Sequence, residues 1–530
     1  MQLAGIRNKE IYLHILIILL ISVLTNQYYG YIGVNPIDNF TIYNSGFNVL
    51  NNKMPFKDYW TLTGPFLDLT QSVFFRLLGV NWFAYVFHAS LLNFVFSIAT
   101  YFTFLKFKLK KNYCLIYSIL LSLIFYPTVG TPFVDFHALM FSILGLYCFV
   151  LAVETNEEKY WFLIPWILTI GFLSKQTPTS YMVIIISFLS IYYFFTKFNF
   201  KKIIFATFST GLVIFLLFIF TTIHEIHYKD FLDQYIIFAS SLGTERLNSE
   251  YLFPVEFNRY ILKFKLIHLS QIILIIVLSK NLIKNSNFLK KKDFLILLAL
   301  ISTVFAFIIH QLLTLNIKFI FFLIPIMAGF SHIFYEKYFL HNKKITFIII
   351  FLTLSFTSYY FVKYVDERRF VVLEKYYDSN RIVKTNILDN NKSNFKWITH
   401  LSKNTKKELE DLKKAVNFII IDQKANELNE SIVITDYQFI FSKFDISNIM
   451  INKWYHPGVS YPSISNKSHK IYKEYMLNKI RIYNVNKIYF VKPSYFNNSD
   501  YFMKIFFPKC KKSENNLKDI VLIYDITECY

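Results

Sequence analysis

The sequence is poor in cysteine, with four in 530 residues, too few to build a disulfide-stapled scaffold. It also lacks a Gly-rich phosphate loop, a Cys-x-x-Cys pair and a Gly-x-Ser-x-Gly elbow. Nucleotide hydrolysis and serine-hydrolase chemistry therefore have no support. No internal repeat and no low-complexity tract is present. Acidic residues are the minority charge, 35 against 56 lysines and arginines, which leaves a formal charge of +21. In a soluble protein that excess would raise the question of nucleic acid. Here the lysines sit in short clusters between apolar runs, the pattern of cytoplasmic loops, so nucleic acid is not an expected partner.

What the chain has in abundance is apolar sequence. It is 54% hydrophobic and 20% aromatic, with a mean hydropathy of +0.37. Apolar stretches of membrane-spanning length recur, so a polytopic α-helical membrane protein is expected. The first run, 11–29, follows Arg7 and Lys9 as a signal sequence would. Its end, Thr25-Asn26-Gln27-Tyr28-Tyr29, is bulky and polar rather than cleavable, so it reads as an uncleaved first span. Further spans are expected at 82–105, 113–128, 134–153, 160–174, 178–196, 203–223, 266–283, 293–314, 319–335 and 345–362, eleven with the first. Lys106, Lys108, Lys110 and Lys111, then Lys197, Lys201 and Lys202, then the lysines of 280–292, then Lys337, Lys343 and Lys344 fall in alternate loops. That asymmetry predicts a cytoplasmic N-terminus and an extracytoplasmic tail, in the plasma (inner) membrane.

The tail, 363–530, reads as a second domain. Residues 405–428 have helical spacing, as do 469–484. "SIVITD" (431–436), "KIYFV" (487–491) and "DIVLIYDI" (519–526) read as short buried strands. The alternation predicts a small extracytoplasmic α/β domain with a parallel sheet. Cys114 and Cys148 lie in spans and read as core. Between Cys510 and Cys529 a bridge is permitted but not demanded.

The stretch between the first two spans, 30–81, is the most informative. Asp38 follows Pro36, and Phe40, Tyr43, Phe47 and Leu50 recur at helical spacing, predicting an amphipathic helix on the outer membrane face. Thr63-Gly64-Pro65 opens a second helix running to Gly79. Asp38 is either the N-cap of the first helix, a site residue, or both. Asp58 is either a solvated loop residue or a site residue.

An outer loop with an early Asp, two juxtamembrane helices, and "PFKDYW" followed by "GPF" (55–66) resemble the GT-C superfamily of membrane glycosyltransferases. Within it the likeness is to the PMT-type, dolichyl-phosphate-mannose-transferase-like group that includes the bacterial aminoarabinose transferase of lipid A. The resemblance implies transfer of a sugar from a polyprenyl-phosphate donor on the outer side of the membrane. It also implies that the acid in the first outer loop, here Asp38, is the catalytic one. Many members follow it with Glu, where this chain has Asn39. A carboxylate can take the proton of an attacking hydroxyl, while a lipid-phosphate leaving group needs cations more than a strong acid.

Other candidates lie at the same predicted face. Asp135 and His137 begin the fourth span, as possible cap and interfacial ring or as ligands of a divalent metal ion. Lys175 and Gln176 fall in a short turn. Lys175 is a snorkelling anchor or, as the resemblance implies, a phosphate ligand. Arg246, in the long loop with Asp233, Gln234 and Glu245, is the best cation there for a phosphate. His310 and Gln311 sit in an apolar helix and read as site lining, with Asn316 and Lys318 beyond. In the tail, Asp436 and Tyr437 end a strand, and 452–462 is an aromatic loop. The combined expectation is a transferase taking a polyprenyl-phosphate sugar to an envelope glycan, lipid or protein acceptor. The alternatives are a flippase or transporter of lipid-linked sugars, or an O-antigen ligase or polymerase.

Overall fold

The computed structural model describes residues 2–248, 255–284, 286–314, 319–340, 342–371, 381–384, 396–426, 430–494, 499–510, 512–513, 516–527 and 529. Asn316 and Lys318 lie outside the described residues. The chain is mostly helical and divides into two compact units.

The first unit takes in Met1–Gly30, Val86–Ile219 and Arg246–Phe370. Among the described residues, seven helices are long and apolar enough to cross a membrane, or eight if a bent pair counts as one span. The eleven expected spans are thus not all matched by spanning helices. The sequences at 113–128, 160–174 and 319–335 do form helices, but only Lys111–Ile124, Glu158–Ser174 and Leu323–Tyr338, of 14, 17 and 16 residues. A proline accounts for one early end, where Tyr126-Pro127-Thr128 turns into a 3₁₀ segment. The expected span at 266–283 is part of a pair, Phe257–Ser270 and Ile272–Lys284, bent by 83°.

Val134–Thr155 is the centre of this unit. Eighty-nine per cent of its apolar window is buried, against 11% for Phe200–Ile223, whose side chains face outward as lipid-exposed ones would. It packs on Glu158–Ser174, Gln176–Thr196 and Lys292–Thr314. A Cβ at Gly145 would come within 2.6 Å of Leu168 Cδ2, so a larger residue there would make that side chain shift. The lysines of the expected cytoplasmic loops pair with acids: Lys111 with Glu10 at 2.6 Å, Lys292 with Glu154 at 2.7 Å and Lys337 with Asp293 at 2.6 Å.

The second unit gathers Tyr31–Tyr85, Phe220–Glu245 and Val371–Tyr530. The tail therefore shares one unit with the stretch between the first two expected spans. Gly33 and Val34 donate backbone N–H groups to the carbonyls of Lys396 and Ile398, both at 3.0 Å, and Trp60 bridges to Asn452. The tail sheet is mixed, not parallel. Ile432–Ile434 runs parallel to Lys487–Val491, which pairs antiparallel with Val521–Asp525. A crossover containing the 14-residue helix His469–Ile482 permits the first pairing. The second return carries only the eight-residue helix Ser499–Phe506, and the strand comes back in the opposite sense. Cys510 and Cys529 are bridged, and Cys114 and Cys148 are buried free thiols.

The loop helix Pro36–Leu50 is not a lone amphipathic helix on a membrane surface. Phe40 packs on Trp397 and Phe439, and Tyr43 on Phe75. Its polar Asn39, Thr41, Asn44 and Ser45 are buried too. The partners that cover the polar side are hydrogen-bonding groups such as Gln438 and Asp68, which a count of apolar positions does not register.

Candidate functional site

Each unit holds a cluster of ionisable side chains. In the first unit the cluster is built where helices begin and end. Phe133 is extended and Asp135 falls in the first turn of Val134–Thr155. Lys175 is extended between Glu158–Ser174 and Gln176–Thr196. Thr177 is also non-helical, as expected of the residue before Pro178. Lys175 Nζ donates to both carboxylate oxygens of Asp135, at 2.7 and 2.8 Å. His310 Nε2 lies 3.1 Å from Asp135 Oδ1. Asp135 and His310 are buried, and a carboxylate so placed needs its cation. The lysine is the more accessible partner, with 18% of its side chain exposed.

Next to this trio, Gln311 Oε1 accepts from the Phe319 N–H at 3.3 Å. Among the described residues, His310 Nδ1 and Gln311 Nε2 are buried with no hydrogen-bond partner. Arg246 falls in the last turn of the helix Ala239–Asn248. Gln176 opens the helix after Lys175 and is half-buried.

Asp135 and His137 do not converge. They are two residues apart on one helix and so point to different sides. His137 Nε2 lies 3.3 Å from His88 Nε2, while its Nδ1 meets Tyr126 Oη. Among the described residues no group of three His, Cys, Asp or Glu side chains could hold a metal ion. The expected Asp135–His137 pair is accordingly not a ready-made divalent site.

In the second unit, Asn35 is the N-cap of Pro36–Leu50 and Pro36 its first residue. Asp38 is therefore not the cap. It lies in the first turn, where a negative charge suits the helix dipole. Its Oδ2 accepts from the Asn35 amide at 2.7 Å, and it is half-buried. Asp58 Oδ2 accepts from the Met54 N–H at 2.6 Å, and Oδ1 is 3.8 Å from Lys479 Nζ. Asp58 thus folds its own turn and faces a lysine from the tail.

The sequence reading missed the most enclosed pair in this unit, Asp68 with Lys453. Lys453 Nζ donates to Asp68 Oδ1 at 2.6 Å and to Thr63 Oγ1 at 2.9 Å. Ser45 and Tyr59 donate to the same carboxylate, at 2.7 and 2.8 Å. Burial pushes the Lys453 ammonium below the usual lysine range, and the Asp68 charge pulls it back. The signal was present in both helix and loop: a lone acid inside an apolar helix and a lone lysine between Asn452 and Trp454 each need a partner.

In the family comparison, the model described as dolichyl-phosphate-mannose-protein mannosyltransferase matches residues 63–224. No curated protein matches the chain. The matched stretch contains Asp68, Asp135, His137, Lys175 and Gln176. Asp38, Asp58, Arg246, His310 and Gln311 lie outside it. Over the matched stretch, which is less than half of the chain, the likeness supports a membrane glycosyltransferase of the PMT type.

Proposed function

We propose that the chain transfers a sugar from a polyprenyl-phosphate carrier to an envelope glycan, lipid or protein acceptor on the outer face of the membrane, with Asp38 as general base. The observation that carries this reading is the placement of Asp38. It lies in the first turn of Pro36–Leu50, is half-buried, and has its carboxylate held by the Asn35 amide at 2.7 Å. It can accept the proton of an attacking hydroxyl as that oxygen bonds to the anomeric carbon. The sugar–phosphate bond breaks as the new one forms, and the lipid phosphate departs as an anion.

Lys175 and Arg246 are the cations we assign to that phosphate. Asp135 then holds Lys175 in place, with His310 Nε2 donating to the same carboxylate and the Gln311 amide N–H available as a donor beside it. A divalent ion is not required by this scheme. The transporter reading is disfavoured by the lack of repeated halves in the sequence. The test is transfer from a synthetic polyprenyl-phosphate sugar by the purified enzyme, with envelope glycans and lipids of gene-deleted cells identifying sugar and acceptor.

A further inference from the structure

The last spanning helix, Lys343–Tyr360, continues into a wider turn, Phe361–Asp366, and its end borders a cleft of about 640 Å³. Three of the ten residues that line it are lysines, Lys263, Lys265 and Lys363, and none is acidic. Its floor is aromatic. Phe321 stacks on Tyr360 at 3.7 Å and on Tyr364 at 5.3 Å, and the two tyrosine rings lie 5.5 Å apart and nearly parallel. Lys363 Nζ lies over the Tyr364 ring at 5.6 Å.

The helix leading to the cleft is graded in chemistry. Leu352, Phe356, Tyr360 and Lys363 follow one another at spacings of four, four and three, so they share a face. That stripe runs from an exposed aliphatic side chain, through aromatic rings, to an ammonium group. The order is the one a bilayer imposes from acyl chain to interface to headgroup. On the expected topology both 224–265 and the chain after 362 lie outside, where basic residues are ordinarily sparse. Three lysines around one acid-free cleft at that level therefore call for an anion.

We infer that this cleft binds the phosphate headgroup of an anionic glycerophospholipid, whose acyl chains lie along the Leu352–Phe356 face. The lysines neutralise the phosphate, and the stacked rings form a rigid wall beside the glycerol region. This cleft shares no lining residue with the Lys175 cluster, and the inference does not depend on the transfer reaction.

The test uses the full-length protein in detergent with a photoactivatable phosphatidylglycerol. Adducts are expected on residues 352–363, competed by unlabelled phosphatidylglycerol but not by phosphatidylcholine or polyprenyl phosphate. A basic residue near an anionic lipid is worth about fivefold in binding, so Lys263→Gln/Lys265→Gln/Lys363→Gln together should weaken it roughly 100-fold. The corresponding triple arginine variant should bind like the wild type. Equal competition by phosphatidylcholine, competition by polyprenyl phosphate alone, or labelling unchanged in the glutamine variant would overturn the site. Should the glutamine variant fail to fold, the competition experiment on the wild type decides.

Discussion

Lys453 and Asp68 form an ion pair 2.6 Å long with both side chains essentially inaccessible, at 1% and 0%. One residue comes from the tail and the other from Phe66–Leu78, the second helix of the 30–81 stretch. The pair sits among Ser45, Tyr59 and Thr63, each within hydrogen-bond distance of one of the two charges. It ties the tail to the helix carrying Asp38, because Ser45 is on that helix.

Removing one charge of this pair should be costly. Lys453→Met leaves Asp68 buried without its cation, and the expected loss is about 3–5 kcal/mol. Adding Asp68→Asn should recover part of it. Thermal unfolding and limited proteolysis of the purified variants would measure this. A Lys453→Met protein as stable as the wild type would show the pair to be dispensable.

A second prediction concerns pH. Glu408 is buried, and burial pushes its carboxyl above the usual glutamate range, opposed by hydrogen bonds from Tyr437 and Thr399. A folded state that holds a proton more tightly than the unfolded chain loses stability as pH rises. The contribution of Glu408 is full below the ordinary glutamate value and is lost as pH climbs through the raised one. Glu408→Gln should flatten that fall, and at neutral pH the variant should match or exceed the wild type in melting temperature. A wild type that gains stability across this range relative to Glu408→Gln would contradict the assignment.

The residues show what could be read in advance. The break at Lys175 was legible, because Pro178 disfavours helix at Thr177 and because the apolar run is interrupted there. The strands at 431–436, 487–491 and 519–526 were legible as apolar runs of strand length, but the sense of the last was not. Direction depends on what joins two strands, and the short amphipathic helix Ser499–Phe506 in the return does not by its pattern say which way the next strand runs. The span count was legible only in part: hydropathy reports burial, and Lys111–Ile124 and Leu323–Tyr338, of 14 and 16 residues, are buried by protein as well as being apolar. Asp38 and Asp58 were singled out, whereas Asp68 was passed over. The pairing with Lys453 spans 385 positions, a distance at which local sequence carries no information.

Topology offers a third check. Reporter fusions after residues 110, 200, 290 and 342 should read cytoplasmic, and fusions after 60, 250 and 400 external. A cytoplasmic signal from residue 400 would remove the outer-face tail and with it the outer-face site.

The donor phosphate gives a fourth. Lys175→Ala and Arg246→Ala should each weaken binding of the lipid-linked donor by about 1.5–3 kcal/mol, the range for charge-assisted hydrogen bonds. Asp135→Asn should act through Lys175, raising KM for the donor more than it lowers kcat. Wild-type donor affinity in both the Lys175 and Arg246 variants would remove them from the phosphate site.

The central claim is that Asp38 is the base, and Asp38→Asn tests it most directly. Asparagine keeps the size and can still meet the Asn35 amide, so the variant should reach the membrane folded and in normal amount. Transfer from a polyprenyl-phosphate sugar should fall by a factor of roughly 10² or more, the usual worth of general-base catalysis, with donor binding unchanged. Asp58→Asn, whose carboxylate already serves its own turn, should lose less. A well-folded Asp38→Asn enzyme with near-normal turnover would contradict the account and make Asp38 only a helix-start residue.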